Sequence, residues 1–163
     1  MSIRMLKVAL LCAALFLQGW TYAGEFEDGV VAYEKKNYAV AMEKFKVAAA
    51  QNDAYALYNL AHMHVNGHGV IQDYAEALKW YKLAAAQGHG DARVNIGYMY
   101  GKGQGVAQDY VRAHMWFNLA AAQGGKNAVS NRDAVAVKMT APQITEAQKL
   151  ARECQARKYK NCE

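Results

Sequence analysis

The chain has 163 residues, 53% of them hydrophobic, and a formal net charge of +5. Once an N-terminal leader is set aside, that is enough chain for one domain. An excess of 19 basic over 14 acidic residues is too slight to predict nucleic-acid binding.

The N-terminus reads as a secretory signal. Arg4 and Lys7 give a positive start, Val8 to Leu17 is uncharged and apolar, and Thr21-Tyr22-Ala23 supplies small residues before Gly24. Cleavage is expected between Ala23 and Gly24, which places residues 1–23 outside the fold and the protein in the periplasm or the medium. The apolar run is too short to span a bilayer, so no stable membrane insertion is expected after cleavage. Cys12 lies inside that run rather than after it, which argues against lipid attachment.

From residue 24 onward, helical spacing dominates and little reads as strand. Tyr38, Tyr74 and Tyr110 each open a segment, 36 residues apart. The same offset aligns Phe45-Lys46-Val47-Ala48-Ala49-Ala50-Gln51 with Tyr81-Lys82-Leu83-Ala84-Ala85-Ala86-Gln87 and Phe117-Asn118-Leu119-Ala120-Ala121-Ala122-Gln123. A fixed period of this length predicts stacked supersecondary units. Three helix pairs follow, at 25–36 with 38–51, 53–65 with 73–87, and 91–101 with 109–123. Asp73 and Asp109 stand where a carboxylate caps a helix N-terminus, and Gly88 and Gly124 suit left-handed C-caps. The first pair lacks the glycine-rich turn of the other two, as an atypical end unit would. Alanines at 48, 49, 84, 85, 120 and 121 let helices approach closely. Phe45, Trp80, Tyr81, Trp116 and Phe117 are expected to fill the space between layers, each buried ring contributing about 2–3 kcal/mol.

After Lys126 the repeat stops. Residues 131–139 read as one helix, and 144–157 as a last one started by Thr140-Ala141-Pro142. Cys154 and Cys162 form an even pair, and in an oxidising compartment a disulfide is the default. On one continuous helix they would stand roughly 12 Å apart, so the chain must turn back near Arg157. A redox or metal role is the alternative, but the spacing is not C-x-x-C.

The segment Gly67-x-Gly69-Val70-x-x-Asp73-Tyr74-x-x-Ala77-x-x-Trp80-Tyr81 recurs as Gly103-x-Gly105-Val106-x-x-Asp109-Tyr110-x-x-Ala113-x-x-Trp116-Phe117. This pattern resembles the Sel-like repeat (SLR) family, the longer relative of the tetratricopeptide repeat. The resemblance implies an all-α fold: an α/α superhelical solenoid of antiparallel helix pairs, with repeats at about 24–54, 55–92 and 93–128 and capping helices over 129–163. It further implies a protein–protein adaptor with no cofactor and no catalysis of its own, whose first helices line a concave face. The partners would be other envelope or secreted proteins or peptides, with self-association as a further option because so few units are present.

On that face, Tyr55, Asn59 and His62 of the second pair and Asp91, Asn95 and Tyr98 of the third are the expected partner-binding positions, with Arg93 and Lys102 adding charge at the rim. Asn59 and Asn95 share one slot and serve either to bind a peptide or to tie adjacent helices together. His62 and His64 point about 200° apart on a helix, so with His68 they are read as aromatic replacements rather than zinc ligands. Gly101-x-Gly103-x-Gly105 follows a helix and lacks a Lys-Ser/Thr ending, so it is not read as a phosphate loop. Two other classes stand beside the adaptor reading. One is cell-wall or β-lactam chemistry, because a cysteine-rich SLR subgroup with that association pairs cysteines at the spacing of Cys154 and Cys162. The other is a secreted effector or immunity protein.

Overall fold

Aspartates set the start of three helices. Asp53, Asp73 and Asp109 each accept, through one carboxylate oxygen, the backbone N–H three residues ahead, at 2.7, 2.9 and 2.9 Å. They satisfy orphan donors and place negative charge at the positive end of the helix dipole. The computed structural model describes residues 24–162, and every regular element in that stretch is an α-helix. The first described helix, α1, covers residues 24–34. It is followed by α2 (Tyr38–Ala50), α3 (Ala54–Asn66), α4 (Tyr74–Ala86), α5 (Gly90–Lys102), α6 (Tyr110–Ala121), α7 (Ala128–Ala136) and α8 (Ala141–Ala156). The expected leader over 1–23 lies outside the described residues.

Packing runs from neighbour to neighbour. α2 packs on α3, α3 on α4, α4 on α5 and α5 on α6, while α6 takes both α7 and α8 against it. This is the one-dimensional arrangement of a helical-repeat stack, closed at its C-terminal end by the last two helices. The aromatic slot at 36-residue spacing is the centre of each layer: Phe45, Tyr81 and Phe117 are all 2% exposed or less. Each needs a small residue opposite. A Cβ on Gly29 would come within 2.6 Å of the Phe45 ring, and one on Gly97 within 2.7 Å of Phe117. Ala61, fully buried, holds the corresponding position in the middle unit.

The glycine turns fix the register between layers. Gly69 has φ +75° and Gly105 φ +69°, a conformation that disfavours any side chain. Each also presses on the start of the previous unit's second helix. A Cβ on Gly69 would lie 2.9 Å from the Cβ of Tyr38, and one on Gly105 would lie 2.5 Å from the backbone N of Ala75. The second glycine of each turn is therefore a contact between repeats as well as a bend.

Helix ends differ from the sequence reading in two places, the starts of α5 and α7. α5 begins at Gly90 because His89 caps it, its Nδ1 accepting from Ala92 N at 3.3 Å. Gly67 and Gly103 also close helices in the left-handed conformation, after the first helices of the pairs. Gly88 and Gly124 close the second helices as expected: both take positive φ, with Gly88 N–H bonded to Ala85 O and His89 N–H to Ala84 O, and Gly124 N–H bonded to Ala121 O and Gly125 N–H to Ala120 O. α7 starts at Ala128, three residues before the expected 131, because the chain doubles back at once: Gly125 N–H bonds Ala120 O and Asn127 turns left-handed. α8 starts as expected, with Thr140 and Gln143 forming a capping box and Pro142 in the first turn.

Cys154 and Cys162 are joined by a disulfide, Cα atoms 5.1 Å apart. Helix α8 ends at Ala156, and left-handed Lys158, Tyr159 and Asn161 carry the chain back. Replacing both cysteines by serine is expected to lower stability by about 2.5 kcal/mol on the chain-entropy model. Urea unfolding of the oxidised wild type and the double variant checks this; equal midpoints would show that the bridge constrains nothing.

Candidate partner-binding face

The exposed side of α3 and α5 is built from residues left over after core packing. On α3, Ala56, Leu57, Leu60, Ala61 and Met63 are buried, which turns Tyr55 outward at 62% exposure and leaves Asn59 and His62 half-buried. On α5, Asp91 is exposed, Asn95 half-buried and Tyr98 39% exposed.

Arg93 corrects the sequence reading. It was expected as charge at the rim, yet it is fully buried. Its Nη2 donates to Ala85 O at 2.9 Å, and its guanidinium lies 3.9 Å from the ring centroid of Tyr159 in the disulfide-closed tail. Burial lowers its pKa, with Tyr159 opposing that shift. The helical period turns Arg93 away from the face occupied by Asp91 and Tyr98, toward the joint between α4 and the tail.

The two asparagines at one slot act differently. Asn95 Nδ2 donates to Tyr58 Oη at 3.4 Å and so ties α5 to α3. Asn59 Nδ2 donates to Tyr55 O in its own helix at 2.9 Å. A ring ladder extends the tie. His89 stacks on Tyr58 at 4.3 Å and meets the ring of Tyr55 edge-on at 5.0 Å. Tyr55, Asn95 and Asp91 thus belong to one neighbourhood, next to an open cavity of about 380 Å³ lined also by His89 and Lys126.

His62 belongs to a second neighbourhood. Tyr33 Oη lies 2.8 Å from His68 Nδ1 and 3.4 Å from His62 Nδ1, and Tyr38 stacks on His68 at 4.4 Å. His62 therefore meets His68 rather than His64. Among the described residues no group of three or more His, Cys, Asp or Glu side chains is placed to hold a metal ion. Tyr98 sits in a third neighbourhood, edge-on to Phe117 at 5.3 Å, with Lys102 Nζ 5.8 Å from its ring centroid. Sequence reasoning named His68 beside His62 but missed their common partner Tyr33, because the shortened first unit hides its alignment. It also missed Asn131 and Lys138 beside Tyr98, because α7 carries no repeat signal.

Burial lowers the pKa of His62, aided by His68, and of His89 and His114, each against its ordinary value. A lowered folded-state pKa means the unfolded chain binds the proton more readily. Stability from these groups is then complete above the unfolded value of about 6.5 and is lost as pH falls through the folded values. The melting temperature is expected to drop between pH 7.5 and 5, with a flatter profile in the His62→Gln/His89→Asn/His114→Gln variant. Identical slopes for wild type and variant would contradict this.

The architecture defines an α/α helical-repeat protein with a disulfide-closed cap. The repeat itself is identified by its family: residues 54–89 and 90–125 each match the Sel1 repeat, so the chain carries two Sel1 repeats. A protective antigen present in uropathogenic Escherichia coli strains and displaying an SLR fold is similar in structure, with a TM-score of 0.79 and 29% identity, over 86% of this chain and 31% of that one. A Sel1 repeat protein from Oxalobacter formigenes gives a TM-score of 0.66 and 30% identity, over 78% of this chain and 56% of its own. The chain thus spans under a third of the first protein and little more than half of the second. No curated protein sequence matches it. The Sel1 fold is a scaffold typical of protein–protein interaction. No described helix is long and apolar enough to cross a membrane.

Proposed function

We propose that this protein is an exported scaffold that holds a segment of another envelope or secreted protein against α3 and α5, with no reaction of its own. The observation that carries this reading is the pair of outward tyrosines, Tyr55 at 62% and Tyr98 at 39% exposure, fixed on the first helices of successive repeats. Tyrosine is favoured at interfaces because it presents a large apolar surface with a polar end. Ring contacts with Phe26 and His89 for Tyr55 and with Phe117 for Tyr98 hold these side chains in place, so little conformational freedom is lost on binding. The Cys154–Cys162 disulfide supports export, since such bonds persist in oxidising compartments.

The test is recovery of partners from periplasmic extract by cross-linking and mass spectrometry, using wild type and Tyr55→Ser/Tyr98→Ser. The double variant should lose a defined set of partners while keeping its helical content. The same partners recovered in equal yield by both proteins would remove this face from the account. Fractionation of cells expressing the full chain checks export, which requires protein beginning at Gly24 outside the cytoplasm.

A further inference from the structure

The last repeat and the cap enclose a cleft that the sequence did not announce. α5, α6 and α7 meet around a volume of about 160 Å³. An apolar cavity of roughly 150 Å³ is enough to admit benzene, so this one matches a single aromatic or branched aliphatic side chain. Its walls are the rings of Tyr98, Tyr110 and Phe117 with Val135, and its floor includes the bare backbone of Gly97 and Gly101. Gly97 cannot gain a side chain without striking Phe117, so the floor stays open.

The charges around it have one sign. Lys102 closes α5 and Lys138 follows α7, and both line the cleft, where no carboxylate does. Lys102 Nζ stands 5.8 Å from the Tyr98 ring centroid and Lys138 Nζ 5.1 Å from that of Tyr110. Neither lysine takes part in a salt bridge to any of the acidic residues paired in the structure. Asn131 Nδ2, also at the cleft, is shielded from solvent and has no hydrogen-bond partner. An apolar slot thus lies between two ammonium groups and an unused amide donor.

We infer that this cleft is the anchoring point for an acidic segment of a partner protein, one apolar side chain entering the slot and flanking carboxylates meeting Lys102 and Lys138. The assignment rests on the scaffold role proposed above and specifies the chemistry of the bound segment. A basic segment is disfavoured by like-charge repulsion with the exposed Lys102 and Lys138, and a purely apolar one leaves the shielded Asn131 Nδ2 without an acceptor.

The probe is a capped Gly/Ser peptide carrying Glu-Phe-Glu, titrated into isotope-labelled protein and followed by NMR, with Lys-Phe-Lys and Glu-Ala-Glu peptides as comparisons. The Glu-Phe-Glu peptide should give saturable shifts at the amides of Gly101, Lys102 and Lys138. Its affinity should exceed that of either comparison by about fivefold or more, as two exposed ion pairs and one buried ring would give. The gain should fall by a similar factor in Lys102→Ala/Lys138→Ala and at high salt, and vanish in Ala134→Trp, which plugs the rim. Absence of saturable shifts, equal binding of the Lys-Phe-Lys peptide, or an unchanged affinity in the lysine variant would overturn the assignment. A photo-cross-linker at position 55 separates the two readings. Partner adducts there with no peptide binding would leave the scaffold role and remove the cleft; peptide binding with no adducts would do the reverse.

Discussion

Gly105→Ala is expected to destabilise the protein by about 3 kcal/mol or more. A non-glycine residue in the left-handed region costs roughly 1–2 kcal/mol by itself. At Gly105 the added Cβ would also stand 2.5 Å from the Ala75 backbone N and the Tyr74 carbonyl O. Those are main-chain atoms of a helix start and cannot swing aside, so either the turn or the α4–α5 joint must move. Gly88→Ala is the control, since φ is +96° there and nothing lies within 4 Å of a built Cβ. It should show the conformational cost alone. Urea or thermal unfolding of both variants measures the difference, and equal losses would mean that the Gly105 turn does not set the spacing between repeats.

Arg93 yields the second large effect, with a contrast between two replacements. Arg93→Ala removes a fully buried side chain beside Ala85 and Tyr159 and is expected to cost about 3 kcal/mol, in the range of large-to-small core changes. Arg93→Met should stay within about 1 kcal/mol of wild type. Its chain fills most of the same space, and it removes a buried charge whose Nε and Nη1 have no hydrogen-bond partner. Ala85 O is not orphaned by either change, because Gly88 N–H also donates to it at 3.1 Å. The Ala variant should also loosen the tail, so that the Cys154–Cys162 bridge is reduced faster by dithiothreitol. If Met were as damaging as Ala, the charge itself would be holding the cap in place.

The repeat was legible because each layer needs the same few shapes. A large ring at 45, 81 and 117, alanines beside it, an aspartate before Tyr74 and Tyr110, and glycines at 69 and 105 leave a pattern that spacing alone exposes. The Sel1 matches at 54–89 and 90–125 coincide with the two units that show it in full. Two features escaped. Arg93 looked like a rim charge because arginine is seldom fully buried; only the return of the tail, bringing Tyr159 over it, makes its position intelligible. The cleft at Tyr98 was invisible because one wall of it, Asn131, Ala134, Val135 and Lys138, comes from α7 and the residues just after it, a helix without repeat signal whose start depends on the turn at Gly124 and Gly125. Of the candidate residues, Tyr55, Asp91 and Asn95 fall in one neighbourhood, while His62 and Tyr98 fall in two others along the stack. A segment touching all three would have to run along the repeats rather than sit in one pocket.

Site-specific photo-cross-linking in the native cell tests the role of that face most directly. The cross-linking residue is placed at Tyr55, at Tyr98, or at Leu83, which is 51% exposed on a second helix. The account predicts the same partner protein joined at 55 and 98 and none at 83. Adducts at 83 alone, or equal adducts at all three positions, would contradict a partner held against the first helices of the repeats.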